Sequence, residues 1–387
     1  MSELQYEDIY GLLKRTLHYS REHDYVGYDY FDGMSSRVLT SIPVDNKWLN
    51  ILVQEGIKRA PINVRPLLLV EKRRNFKGTA LFAMANRRMF HLSTDESYRD
   101  DAVRLARWLT NNTSDGYAGF CGGHRHAMQM LRERRPPNTP NIVPTSYATK
   151  ALLAVSEFDP TFAHTAAEAT EFLYEELEYR EIEDAAKIKY QPLENGQYYT
   201  LNGGALGARL LIDLYSKFGT DELRRRSTKI LDYVAERQTD LGGWYYRDPP
   251  SSSHLSMDNH HNGFIIESFL RHRNVTESDR YAEQLSTALE FYRNELFEAD
   301  GAPNWDENEA YPKDIHAATQ GIIVFSMVGD FAFARSIIEW VVDNLYAGSG
   351  QFYYQKRKHY TKRFTLMRWC QAWMAYALST YLTERLA

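Results

Sequence analysis

VPTSYATKALL from Val143, TLNGGALGARLL from Thr200, MDNHHNGFIIESFL from Met257, IHAATQGIIVFSM from Ile315 and TLMRWCQAWMAYAL from Thr365 are one element written five times. In each, a polar first turn leads into a helix rich in small residues, with apolar positions at helical spacing such as Leu206, Leu210, Leu211 and Leu214. A charged amphipathic helix follows most of them, as in DELRRRSTKILDYVAER from Asp221, and the unit returns after roughly fifty-seven residues, a period that marks a repeat architecture. The pattern predicts helix pairs over 76–91 with 95–112, 145–157 with 160–178, 202–218 with 221–238, 259–273 with 277–297 and 315–328 with 330–346. A last inner helix, 364–385, lacks a successor. The amphipathic segment 4–22 can supply its partner and close a ring, whereas an open solenoid would leave apolar terminal helices uncapped. The expected fold is therefore all-α, an (α/α)6 toroid with short β-hairpins and long loops at one mouth. It is read as one domain over 1–387, with 1–75 giving an N-terminal helix and structured loops and 76–387 the repeated pairs.

Composition narrows the function. The net charge of −5 argues against the broad basic field of a nucleic-acid binder. Tyr 27, Phe 18 and Trp 7 are abundant, and several lie in inter-pair loops such as GGWYYRD and GQFYYQK, where rings beside charges suit sugar stacking as well as plain capping of the helices. Cys121 and Cys370 alone cannot build a disulfide framework or a thiolate zinc site. The N-terminus lacks a secretory apolar region and no run of eighteen apolar residues occurs, so a cytoplasmic protein without a transmembrane segment is expected, with peripheral contact at the inner membrane surface left open.

Equivalent helix starts in a ring share one face, and this rule selects the candidate site. SHLSMDNHHNGF brings Asp258, His260 and His261 to a first helical turn, where imidazoles suit acid–base work near neutral pH and Asp258 alternatively serves as an ordinary N-cap. NWDENEAYPKDIHAATQG adds Asp306, Asp314, His316 and Gln320. Asn202 and Tyr199 join them from the third repeat, and His124 and Arg125 from CGGHRHAMQ. Trp244, Tyr246 and Trp305 are candidate ring-stacking residues. Arg125 and Arg247 are candidate partners for a sugar carboxylate, Arg363 is a further substrate-binding candidate among the loop cations, and Asp32 is a further carboxylate in the loop DYFDGMSSR. Loop cations, among them Lys187, Lys189, Lys313, Lys356 and Lys362, predict a positive mouth, with ordinary solvated loops as the plain alternative. Adjacent histidines lack the i, i+4 spacing of helical metal ligands, and no carboxylate or Cys completes His124-x-His126, so neither a metal nor another cofactor is expected.

The runs GFCGGHRHAM, HLSMDNHHNGFI, GAPNWDENEAYPKDIHAATQG and YTKRFTLMRWCQAWMAYAL resemble the archaeal AglQ-like family of surface-glycan and N-glycosylation gene clusters. The resemblance extends over nearly the whole chain. It implies a helical toroid similar to that of glucuronyl hydrolases, and an oligosaccharide substrate, including a lipid-linked one, that contains a hexuronic acid. The leading expectation is a glycoside-hydrolase-like enzyme using two carboxyl groups, Asp258 with Asp306 or Asp314. A uronyl C5-epimerase using His260, His261, His316 and Tyr199 is the alternative, and a non-catalytic glycan-binding scaffold is a third reading.

Overall fold

The computed structural model describes residues 4–42, 45–131 and 133–386; the ends of the expected 1–387 span, residues 1–3 and 387, fall outside it. Six inner helices form a closed ring: Phe76–Ser93, Ile142–Val155, Leu201–Phe218, Asn259–Thr276, Ile315–Met327 and a sixth that opens at Met367–Ala372 and continues as Trp373–Glu384. Each packs on the next, and the sixth packs back on the first. The outer layer is Glu96–Thr110, Thr161–Ala167, Asp221–Ala235, Ala282–Asn294 and Phe331–Leu345, completed by Tyr6–Glu22 against the sixth inner helix. The (α/α)6 toroid read from the repeat is therefore the fold, and the N-terminal helix closes it.

Local chemistry explains the helix starts. Asn75, Asn141, Asp258 and Asp314 each accept backbone N–H groups of the turn they cap. Within the Pro-rich run RRPPNTPNIVP from Arg134, Arg134–Arg135 pairs with Met128–Gln129, and Ile142 to Pro144 already belong to the second inner helix. Pro fits there because the first-turn N–H groups have no intrahelical partner. Short antiparallel strands then stitch each mouth loop to a neighbour, Tyr199–Thr200 with Arg247–Asp248 and Lys313–Asp314 with Gln355–Lys356.

Small residues let the inner helices approach. A Cβ on Gly263 would lie 2.1 Å from Gln320 Cγ on the next helix and 2.6 Å from the Tyr292 hydroxyl. Gly263→Ala is expected to destabilise the protein by about 1–3 kcal/mol through overpacking, measured as a lower urea midpoint.

Below the mouth, the ring is plugged by charge. Glu267 of the fourth inner helix is fully buried; it accepts from Lys150 Nζ at 2.9 Å, the Tyr147 hydroxyl at 3.2 Å and Gln320 Nε2 at 3.2 Å, and forms an ion pair with Arg209 Nη1 at 2.9 Å. Those donors come from the second, third and fifth inner helices, so one carboxylate ties four walls of the ring together.

Candidate active site

The second residue of each inner helix is Lys77, Val143, Asn202, His260, His316 or Arg368 in turn. Because the six starts are in register, these side chains fall in one layer at the mouth. Asp258 organises the middle of it. Its carboxylate lies 2.7 Å from His261 Nδ1 and 3.2 Å from His260 Nδ1, and it accepts the His261 backbone N–H at 3.2 Å. The His260 ring stands 4.0 Å from that of His261 and 4.6 Å from that of His316, centre to centre. Tyr246 packs on His261 at 4.6 Å.

His316 is buried between two indoles, 4.6 Å from Trp369 and 4.4 Å from Trp373, and neither of its ring nitrogens has a hydrogen-bond partner. The sixth inner helix reaches it with both indoles because its first turn is a π-turn, a geometry often found at functional sites. Trp373 Nε1, Gln320 Oε1 and Asn202 Oδ1 are likewise buried and unpartnered. A native interior satisfies nearly all of its polar atoms, so this concentration of free donors and acceptors around the ring's axis makes it the candidate site.

Electrostatics sort the groups. Burial, reinforced by the neighbouring His261, holds His260 down to about 3, and burial with His260 beside it holds His316 well below the ordinary imidazole value, so both are neutral bases at pH 7. Burial alone would raise Asp258, but His261 and His260 outweigh it and keep the carboxylate ionised. Lys77 is buried with its Nζ 5.2 Å from the Trp373 ring and 5.8 Å from that of Phe264, and no carboxylate among the described residues pairs with it. Burial and the nearby Arg368 hold its amine well below the usual lysine range. Arg368 differs, being paired with Asp29 at 2.5–3.0 Å.

The other expected site residues divide. Asp314 is buried at the mouth beneath His316, but its oxygens accept from Trp369 Nε1, Gln355 Nε2 and the His316 N–H, and burial lifts it to about 6. Asp306 closes its own turn by accepting from the Asn308 and Glu309 N–H groups. Asp32 is sealed against Arg65 at 2.8–2.9 Å. Gln320 serves the Glu267 plug. His124 lies 3.5 Å from Asn75, the cap of the helix that carries Lys77, and burial holds it down to about 3. Trp305 is half-buried and its carbonyl accepts the Asn259 N–H.

Three expectations are corrected. Trp244 is core rather than a stacking platform: it is 1% exposed, lies flat on Phe269 and donates its Nε1–H to the Val234 carbonyl. Tyr199 packs on Tyr233 of an outer helix, because the strand pair with Arg247–Asp248 turns it outward. The Arg125 guanidinium lies over Trp108 of another outer helix, 5.6 Å from the ring centre. Arg363 lies exposed beside the strand Thr361–Lys362. Of the expected loop cations, Lys189 pairs with Glu178 and Lys313 with Glu298, while Lys362 donates to the Lys58 carbonyl and Lys356 to Asn344 Oδ1. Arg247 stays near the site, stacked 3.7 Å over Tyr198 with its Nε free.

Asp258, His260 and His261 also bring ligand atoms within 4.8 Å of one another, a cation-sized grouping that residue spacing had argued against. His261 Nδ1 is hydrogen-bonded to the carboxylate and His260 Nδ1 lies 3.2 Å from it, so both Nδ1 atoms are turned towards Asp258.

Sequence reasoning missed Lys77, Arg368, Trp369, Trp373 and Glu194. The register of the helix starts would have found Lys77 and Arg368. Glu194 is a buried loop carboxyl that accepts the Tyr190 N–H at 2.9 Å, and burial lifts it to about 7 despite that bond and the nearby Arg247. Its folded value is raised, so the native state is favoured at low pH and loses that advantage as pH rises through about 7. Glu194→Gln, an isostere that never ionises, is expected to be more stable than the parent at pH 8, by roughly 1–3 kcal/mol, with the gap closing towards pH 4 in urea titrations.

No protein-family model and no curated protein sequence matches the chain. Solved structures do share its fold. The family 76 α-mannanase of Bacteroides thetaiotaomicron superposes with a TM-score of 0.62 at 14% identity, covering 81% of this chain and 87% of the mannanase. Cellobiose 2-epimerase from Bacillus thermoamylovorans gives 0.61 at 11% identity over 80% and 88%, and a family 88 glycosyl hydrolase from Bacteroides vulgatus 0.56 at 11% over 81% and 92%. At these identities the likeness defines the class of protein by fold alone, a six-hairpin toroid of the glycosidase and sugar-epimerase type.

Proposed function

We propose that this chain is an enzyme acting on a hexuronic-acid-containing glycan, as its AglQ-like motifs imply, and that it moves a proton at the sugar carbon next to the carboxylate, a uronyl C5-epimerisation. The observation that carries this reading is His316, a neutral buried imidazole with both nitrogens free, beside His260, which Asp258 orients. A C–H next to a carboxylate becomes acidic only if the enolate that forms is stabilised by a cation. Lys77, the unpaired amine of the same layer, fills that part, and a bound carboxylate would restore its charge. His316 or His260 takes the proton as general base. His124, near Asn75 and coupled electrostatically to Lys77, is the candidate for returning one, once the same bound carboxylate has favoured its protonated form.

Hydrolysis is the second reading, supported by Glu194 as a carboxyl protonated near neutrality and by Asp258 as its ionised counterpart. The two separate cleanly in heavy water with a uronate-containing oligosaccharide. Epimerisation places deuterium at C5 without new reducing ends; hydrolysis makes reducing ends and leaves C5 unlabelled. Neither product with purified protein that still binds the glycan would leave a binding protein instead.

A further inference from the structure

The helix Lys47–Arg59 is inside out. Its buried side carries Asn50, Gln54 and Ile57, with the two polar residues hydrogen-bonded to Gln129: Asn50 Nδ2 to Oε1 at 3.4 Å, Gln54 Nε2 to the carbonyl at 3.2 Å, and the Gln129 N–H back to Gln54 at 3.0 Å. Its open side carries Trp48 and Leu52, one helical turn apart and 66% and 69% exposed. A helix facing only water would show the reverse pattern. The surrounding loops repeat the inversion. Val38, Ile42, Ile62, Leu67, Leu69, Met130 and Leu131 are all exposed, Leu67 at 79%. These segments form one layer: the Ser36 hydroxyl and the Arg37 N–H bond to the Leu68 and Leu69 carbonyls, and the hairpin that ends in Met130 packs on the helix. Apolar patches of this extent on a protein surface mark interaction sites.

Charge selects the occupant. Between Arg37 and Arg74 the chain carries eight Lys and Arg against three Asp and Glu, a local +5 within a total of −5. Arg65 and Arg74 pair outside this stretch with Asp32 and Asp24, and the exposed Arg37 and Arg59 pair with Glu71 and Glu55, so Lys47 and Lys72 carry the exposed charge that no carboxylate meets among the described residues; Asp45, the exposed acid, pairs with Arg134. A second copy docked face to face would set like charges against each other. An anionic lipid surface complements them, and a Trp flanked by Lys with protruding Leu is what the headgroup boundary accepts. The layer also covers the site: Lys58 Nζ sits 4.7 Å from the Tyr30 ring, which stacks on Trp369 at 4.4 Å beside His316.

We infer that this layer docks the protein on an anionic membrane surface, with Trp48, Leu52, Leu67 and Leu69 entering the headgroup boundary and the toroid mouth held against the lipid. This is independent of the reaction proposed above, since it is read from vesicle binding with no sugar present. Sedimentation with phosphatidylcholine vesicles, with and without phosphatidylglycerol, tests it. Partition onto the anionic vesicles is expected to exceed that onto neutral ones by about tenfold or more and to weaken with salt. The double variant Trp48→Glu, Leu52→Glu is expected to lose about tenfold or more, because both side chains lie outside the core. If that variant melts early, Lys47→Glu with Arg59→Glu reads the electrostatic half of the surface, and brominated lipid should quench a fluorescence component absent from Trp48→Phe. Failure of the parent protein to bind either vesicle overturns the inference. So does concentration-dependent dimerisation in sedimentation velocity that Trp48→Glu, Leu52→Glu abolishes, which would assign the face to a second copy.

Discussion

His316→Phe is expected to lower turnover on the glycan by about 10²–10⁴-fold, the usual worth of a general acid–base group, while leaving thermal stability unchanged or slightly higher. The two halves of that expectation share one cause. The His316 imidazole makes no hydrogen bond to the described residues, its two ring nitrogens being buried without partners between Trp369 and Trp373. Removing an unsatisfied buried polar group costs the fold nothing and can stabilise it by about 1 kcal/mol, and a phenyl ring fits an aromatic slot. A residue kept at the expense of stability is one retained for chemistry. Parallel steady-state kinetics and thermal melts check both halves. Turnover unaltered in a well-folded His316→Phe protein would remove the imidazole from the mechanism.

Glu267→Ala should have the opposite signature, with a loss of roughly 3–5 kcal/mol in the urea unfolding free energy. The substitution strands Lys150 and Arg209 in the interior and frees the Tyr147 hydroxyl and the Gln320 amide at the same time. Burial opposes ionisation of Glu267, but Lys150 and Arg209 overcome it and bring the carboxyl to about 2, below its ordinary 4.5. A depressed carboxylate contributes stability above its unfolded value and loses it as pH falls towards the folded one. Parent stability should therefore decline between about pH 4.5 and 2, and Glu267→Gln should lack that part of the decline. Equal urea midpoints for parent and Glu267→Ala at pH 7 would show that the network does not hold the ring together.

The contrast between Glu267 and His316 also shows what could be read in advance. His316 stands in the first turn of a repeated element, so its neighbourhood follows from the register of the repeat. Glu267 lies two turns deeper in a helix whose sequence reads simply as apolar, and nothing local says that Lys150, Arg209 and Tyr147 converge on it. Trp244 misled for a similar reason. A loop of Gly and aromatics looks the same whether its ring faces solvent or is folded under the helix cap, and only the packing against Phe269 distinguishes them. Lys77 was overlooked because a lysine in FKGTALF resembles any solvated first-turn cation until the ring closes over it.

The sequence by itself determined the toroid, the pairing of its helices, the closure by the N-terminal helix and the meeting of Asp258, His260, His261 and His316, because periodicity and capping are local properties and a closed repeat turns local register into spatial proximity. The tertiary structure alone decided which charges are paired and which are free. Asp29 meets Arg368, Asp32 meets Arg65, and Lys77 meets no carboxylate among the described residues. Such pairings join residues far apart in the chain, so they depend on distances that no stretch of sequence specifies.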